Sequence, residues 1–560
     1  MADTNRVSLR AVRETTFGTT PSNPAFFEIA STGQPNLGFA PSTIVSNLLR
    51  DDRQVSDLIL VGGEAGGEAN SELAFGLHDE LLESAFFSSW QTRYEKRNDK
   101  GATKITAVTA ATDDYTVAIG ATTGAITVDF FGTTTDAVVR AAGSFITDGF
   151  KVGDFVIVSG ALDAGNNATF YVTAVSALSM TLQGLPSDET ADAGVTISTC
   201  VQTNQIVRAE GFTNAANNGY FTVAAGSTAT SIVTPDGRVT ETPTATAQLH
   251  VVGRQAAVSD IVATASGLTS TALNLTELGL APGDWLRVKG TGGTWPAVNN
   301  GWGRVLSVTA TVLTWDTAPT GWTTNAGTSA TVSFYVGDRL VNGVDRSSFT
   351  LERAFNDHSP VTYQYLTGFV PDQVVITGAS QAILESNFTF VGLGSSFTET
   401  RFAGATSVSA AAFSVLNTSS NVARIARGGV VLIGAGTKNL VTELSFTIAN
   451  NLRRKNAIGF LGAADVGAGE FNVTGSLAAY FDDKMIAEQV VNNTETSVDA
   501  RFEDSTSHVL LTDCPRIKYS EGQPEVSGKN ADVTIGPNFQ ALKHATFGYT
   551  MKLQRFFGYQ

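Results

Sequence analysis

Glu68-Ala-Asn-Ser-Glu-Leu-Ala-Phe-Gly-Leu77 alternates in polarity with a period of two. Glu68, Asn70 and Glu72 fall on one side; Ala69, Ser71, Leu73, Phe75 and Leu77 fall on the other. That is the pattern of a strand with one packed face and one wet face. Behind an acidic start at Asp79-Glu80, a stripe of Leu81, Leu82, Ala85 and Phe86 predicts a short helix laid on the packed face. The order recurs near the other end of the chain. Glu470-Phe-Asn-Val-Thr-Gly-Ser-Leu-Ala478 places Glu470, Asn472, Thr474 and Ser476 on one face and Phe471, Val473, Gly475 and Leu477 on the other. Met485, Ile486, Gln489 and Val490 follow Asp482-Asp483 as a second helical stripe.

The recurrence extends beyond these segments. Thr43–Phe87 lies on Thr447–Val491 without a gap at a constant shift of 404 positions, with Asn47/Asn451, Leu48/Leu452, Arg50/Arg454, Leu73/Leu477 and Asp79/Asp483 among the coincident pairs. Such self-similarity implies one building block used twice. The fold class expected is mainly β, with two such blocks and further β modules between them.

Between about Gly101 and Gly337 the texture changes: about 11% of positions are charged, against about 19% elsewhere. Gly149-Phe-Lys-Val-Gly-Asp-Phe-Val-Ile-Val158 followed by Asn166-Asn167 resembles Gly279-Leu-Ala-Pro-Gly-Asp-Trp-Leu-Arg-Val288 followed by Asn299-Asn300. A less complete copy runs from Gln205 to Asn217-Asn218. Gly-Asp and Asn-Asn supply tight turns and the apolar runs supply strands. The reading is three small β-barrel or sandwich modules at 101–199, 200–255 (partial) and 256–338, serving as decoration on an outer surface. The host blocks are 1–100 with 339–410, and 411–560.

Composition narrows the function. The 560 residues carry a net charge of −16, and only 16% of them are charged. Nucleic-acid binding needs clustered Lys and Arg to displace counterions, and the densest run, Arg453-Arg454-Lys455, reads as a turn or a subunit contact. Cys200 and Cys514 are the only cysteines, which excludes a disulfide scaffold and suggests synthesis in a reducing compartment. The opening MADTNRVSLRAVRETTFGTT has no apolar secretion run, and no segment approaches the roughly 20 apolar residues of a membrane span. No membrane insertion is expected.

A resemblance rests on particular stretches. Arg13-Glu14-Thr-Thr-Phe-Gly-Thr-Thr-Pro21, Leu49-Arg50-Asp51-Asp52-Arg53-Gln54 and the strand–helix unit ending at Trp90 resemble the start of the tail tube (major tail) proteins of long, non-contractile-tailed bacteriophages. Ser348–Phe355, Tyr365–Phe369 and Phe388–Gly392 are similar to later strands of that family. The resemblance implies a β-sandwich with a packed helix in each block, rings whose inner sheets join into one barrel, and stacking of rings into a conduit for genome ejection. It further implies a virion protein assembled in the host bacterial cytoplasm, immunoglobulin-like character for inserted modules, and tape measure, tail terminator and tail tip proteins as partners. DNA would pass through the lumen without specific binding. Two blocks per chain suggest a homotrimer with pseudo-sixfold symmetry. The lumen-lining candidates are Glu68, Asn70, Glu72, Glu470, Asn472, Thr474 and Ser476.

No enzyme is expected. His78, His250, His358, His508 and His544 are scattered without metal-ligand spacing. Gly434-Ala-Gly-Thr-Lys438 lacks the full phosphate-loop pattern and precedes a strand-like segment. No catalytic, metal or cofactor residue is assigned, and no cofactor is expected. The rival readings are a receptor-binding or carbohydrate-binding adhesin and a carbohydrate hydrolase with binding inserts.

Overall fold

The computed structural model describes Asp3 and residues 6–33, 35–100, 103–235, 237–408, 414–434 and 436–560. Three boundaries drawn from sequence (Gly101, Ala410 and Ala411) and Ala435 of the Gly-rich turn lie outside the described residues. The chain is mainly β, with 48% strand and, among the described residues, two short α-helices. It divides into two compact units, residues 1–90 with 339–555, and residues 91–338 with 556–560.

The first unit contains the same strand circuit twice. Its first copy is β1 (Val7–Arg13), β2 (Asn36–Val45), β3 (Leu58–Glu72), α1 (Asp79–Phe86), β4 (Phe349–Phe355), β5 (Thr362–Ala379) and β6 (Glu385–Gly392). The second is β7 (Val422–Arg427), β8 (Val441–Ala449), β9 (Asn472–Tyr480), α2 (Met485–Asn492), β10 (Thr496–Glu503), β11 (Val509–Glu521) and β12 (Asn538–Ala541). Antiparallel pairing runs β1-β4-β5-β6-β3-β2 in the first copy. It runs β7-β10-β11-β12-β9-β8 in the second. Each strand therefore has its counterpart six places later. The bulges recur too: β4/β5 breaks register between Phe349 and Leu351, and β10/β11 between Thr496 and Val498. β5/β6 breaks between Pro371 and Gln373, and β11/β12 between Tyr519 and Glu521. One pairing, β5 with β8, joins the copies into a continuous sheet.

Register corrects the alignment read from sequence. Gly67 faces Phe390 on β6, and Gly475 faces Phe539 on β12. With the bulges superposed, β3 maps onto β9 at a shift of 408, and β2 onto β8 at 409. The gapless shift of 404 is therefore four to five positions out of register throughout, while across the connection between the two strands the true shift changes by only one. The faces of 68–72 and 472–478 do not depend on that shift, since each is read from its own alternation. The strand expected to run on to Leu77 instead ends at Glu72, and residues 73–77 form a bridge and turn that lead into α1.

Alternation buries Ala69, Phe388, Val374, Ile448 and Val473 on one side of the joined sheet, in a core shared with α1. Leu81, Leu82, Ala85 and Phe86 are all buried, and the large ones contribute about 1.5–3 kcal/mol each on burial. The second helix departs from expectation. Only Ile486 of its stripe is fully buried, and Met485 is exposed. Asp483, one residue before the N-cap Lys484, accepts from the Met485 amide at 2.9 Å and so satisfies the first free N–H of that helix.

In the second unit, strands from Ile126 to Cys200 close a six-stranded barrel. Residues 105–117, grouped with that module from sequence, instead share a core with 201–251 through Ile105, Val108, Tyr115, Val207 and Leu249. The middle module is thus completed by a segment that precedes the barrel in the chain. A third core spans Ala256–Val336. The Asn-Asn pairs do the same work three times. Asn166, Asn217 and Asn299 are fully buried. Asn167, Asn218 and Asn300 each accept from one backbone amide, at Ala161, Phe212 and Gly290, and donate to the carbonyl of the same residue. The last five residues also belong to this unit. Phe557 stacks on His250 at 3.7 Å, its carbonyl accepts from Arg208 at 2.6 Å, and Arg287 lies 4.0 Å over the Tyr559 ring.

Candidate functional site

The wet faces of β3 and β9 turn out to be parts of one surface. Directly paired residues on antiparallel strands point the same way, so rows can be followed across the sheet. One runs Glu72, Glu385, Thr377, Ser445, Ser476, Asn538 and Glu521. A second runs Asn70, Asn387, Val375, Thr447, Thr474, Gln540 and Lys518. The third runs Glu68, Thr389, Gln373, Ala449 and Asn472. All of these are exposed or half-buried, while their chain neighbours on the other side form the core.

Short polar side chains hold the rows together. Ser445 and Ser476 share a hydrogen bond at 2.9 Å, and Gln540 donates to Asn472 at 2.6 Å. Charge is one-sided: Glu68, Glu72, Glu385 and Glu521 face outward in these rows, with Glu443 beside them on β8, against the single cation Lys518. Glu72 and Glu385 stand directly opposite each other, an arrangement that opposes sheet stability by about 0.2–1 kcal/mol. Folding alone does not account for that pair; an acidic surface does.

Six of the seven residues singled out from sequence lie in these rows. Glu470 does not. Strand β9 begins at Asn472, so the pleat does not assign Glu470 a face; it is exposed, and its carbonyl accepts from Asn451 at 2.9 Å. Sequence reading missed Glu385, Asn387, Glu443 and Gln540, although period-two alternation of Ser386–Phe390 would have placed Asn387 and Thr389 together.

Nothing among the described residues resembles a catalytic constellation. No group of three or more His, Cys, Asp or Glu there could hold a metal. His78 contacts Ser71 at 2.6 Å, His508 contacts Asp504 at 2.9 Å, and Cys200 and Cys514 are buried and free. Gly434 leads through a turn into a strand rather than a helix. A cavity of about 330 Å³ in the first unit is lined mainly by Ile376, Leu384, Val422, Ile425, Phe446 and Phe502, with Glu443 its only titratable group. No described helix is long and apolar enough to cross a membrane.

Two long arms complete the picture. The β2–β3 hairpin exposes Leu48, Leu49, Val55, Leu58, Ile59 and Leu60, and Ile458, Phe460 and Leu461 are exposed on the corresponding arm of the second copy. That second arm rests on the first copy: Arg454 donates to the Ala65 carbonyl at 2.9 Å and pairs with Glu64 at 3.3 Å. Compared with known proteins, the chain matches over residues 4–551 the family model described as phage tail tube protein. No curated protein matches it.

Proposed function

We propose, because the chain belongs to the phage tail tube protein family, that it closes into rings which stack into the bore of a phage tail, with the acidic rows facing the passing genome. The family is structural, and the chain is not an enzyme. The observation that carries the finer reading is the continuous eight-strand sheet β2-β3-β6-β5-β8-β9-β12-β11, with one wet acidic face and one buried face. A phosphate backbone drawn along such a wall finds few cations to hold it.

Size favours three chains per ring. At about 4.8 Å between strands and a tilt of about 40°, three chains of eight strands make a barrel roughly 45–50 Å across between backbones, and roughly 35 Å free of side chains. Six chains would double this to about 90 Å, far wider than a duplex needs, unless the second copy stood outside as a support. The inserted modules, low in charge and self-contained, serve as decoration on the outside of the tube. Tape measure, terminator and tip proteins would meet the tube at its axis and ends.

A helical reconstruction of the assembled tube tests the reading. Three chains per ring with Glu68, Glu72 and Glu385 on the bore are expected; six chains per ring, or these residues on the outside, would overturn it. Replacing Glu68 and Glu72 with Lys should leave assembly intact and slow ejection measurably, with the delay shrinking as salt rises.

A further inference from the structure

Among the described residues, neither end of the eight-strand sheet is closed within the chain. Among the described residues β2 pairs only with β3, leaving its outer edge open. At the other end β10 stops opposite Ile517; among the described residues, β11 beyond that point and its continuation Pro524–Val526 pair with β12 and with Val533–Ile535 on one side only. Residues 523 and 525–527 are exposed there, Val526 at 77%. An unpaired edge of this length is a template for another strand.

The chain contains its own pattern for how that edge is filled. The continuation belongs to the duplication. Pro524↔Ile535 and Ala479↔Ile535 fall in the register that β5, β6 and β3 use, moved by the same shifts as the rest of the second copy. In the first copy the corresponding edge of β5 is occupied: β8 pairs along it from Gln373↔Ala449 to Ala379↔Glu443. β8 is the counterpart of β2. The one junction between copies inside the chain therefore predicts the junction between chains.

We propose that β2 of one chain adds, antiparallel, to the free edge of β11 and Pro524–Val526 in a second copy of this chain, in the register Ala40↔Glu521, Gly38↔Gln523 and Asn36↔Glu525. This deepens the tube reading and rests on it. Three features support this register. Ala40, Gly38 and Asn36 share the face of Glu64 and Glu68 across β3, and Glu521 shares the face of Asn538, so wet face continues into wet face. No like charges come opposite each other. Leu37 comes opposite Pro524, which has no N–H to give, and the Leu37 carbonyl already accepts from Arg353 at 2.6 Å. Pro41 lacks the N–H that its counterpart Asn450 donates to the Asp372 carbonyl. The chain-to-chain ladder is therefore shorter than the internal one, and the apolar arm must supply the rest of the contact.

Paired cysteines test the register in the assembled full chain. Ala40→Cys with Glu521→Cys, and Asn36→Cys with Glu525→Cys, bring Cα atoms to about 4.5–5.5 Å, within disulfide reach. The shifted pair Gly38→Cys with Glu521→Cys does not. Cys200 and Cys514 are buried and do not compete. After mild oxidation of tubes seen by microscopy, the in-register pairs should run as cross-linked bands ending at the closed ring, with the shifted pair at least about tenfold weaker. Tubes that form without cross-links from either in-register pair overturn the register and leave the tube reading standing; a wild-type protein that never assembles overturns both. Should the variants not assemble, hydrogen exchange on the unmodified protein decides: the amides of Leu37, Phe39, Ser520 and Gly522, which face the proposed junction, must gain protection of tenfold or more on assembly, and unchanged exchange overturns the proposal.

Discussion

Glu14 shows why a short sequence signature can mark a fold. Its carboxylate is buried without a cation and accepts four hydrogen bonds: Gly18 N at 2.7 Å, Ser348 Oγ at 2.6 Å, Thr350 Oγ1 at 2.8 Å and Gly368 N at 2.9 Å. Gly18 has φ +74, and a Cβ there would meet Leu393 at 2.7 Å, so the turn after Glu14 needs glycine. The run Arg13–Pro21 was legible as a resemblance, but its cause lies more than 300 positions away and could not be read locally. Glu14→Gln turns one acceptor into a donor facing donors, and should cost about 2–3 kcal/mol in urea unfolding. His78 supplies a second test. Its Nε2 lies 2.6 Å from Ser71 Oγ, which itself donates to the Ala30 carbonyl at 2.5 Å. Burial lowers its pKa from 6.5 to about 4. The unfolded chain therefore binds the extra proton first, and stability falls as pH drops from about 6.5 and levels off below about 4. His78→Gln should flatten that part of a stability–pH curve; an unchanged slope would assign the acid sensitivity elsewhere.

Elements were legible where alternation was long and illegible where contacts were distant. Period-two patterning identified β9 and the end of β3, and helical periodicity identified the stripe of α1, since each depends on its own residues. It could not identify the register between copies, because β pairing is set by partners that lie elsewhere in the chain. Nor could it assign 105–117, a hairpin whose third strand, Ser231–Val233, comes over 100 residues later. The arms themselves are the elements with the clearest unmet need. Leu48, Leu49 and Val55 protrude from the β2–β3 hairpin, and a contiguous exposed apolar surface of this kind signals an interface. Leu48→Asp with Leu49→Asp should leave the unfolding midpoint of the single chain within about 0.5 kcal/mol of wild type, because both side chains are already in water. The same change should abolish tubes in sedimentation and microscopy. Normal tubes from this variant would exclude the arm from assembly.

At the scale of the whole molecule, an interrupted chain keeps both parts foldable. The first unit builds its core from 1–90 and 339–555, and the second from 91–338 with the last five residues. Low charge and internal repetition exposed the insert in sequence, since these are properties of composition. The return of residues 556–560 to it was invisible, because the partners of Phe557 and Tyr559, namely Arg208, His250 and Arg287, lie more than 250 positions earlier. This changes how the insert should be removed. Joining Trp90 to Arg339 through a short Gly/Ser linker and stopping at Arg555 removes one complete unit and leaves the eight-strand sheet untouched. The same deletion carrying 556–560 strands two phenylalanines and a tyrosine that have lost their aromatic and cationic partners. The first protein is expected to be soluble and to form tubes of unchanged inner diameter but smaller outer diameter. The second should aggregate, at roughly the cost in solubility that a new apolar patch brings. A first protein that is folded, soluble and never assembles would mean that the insert takes part in ring closure.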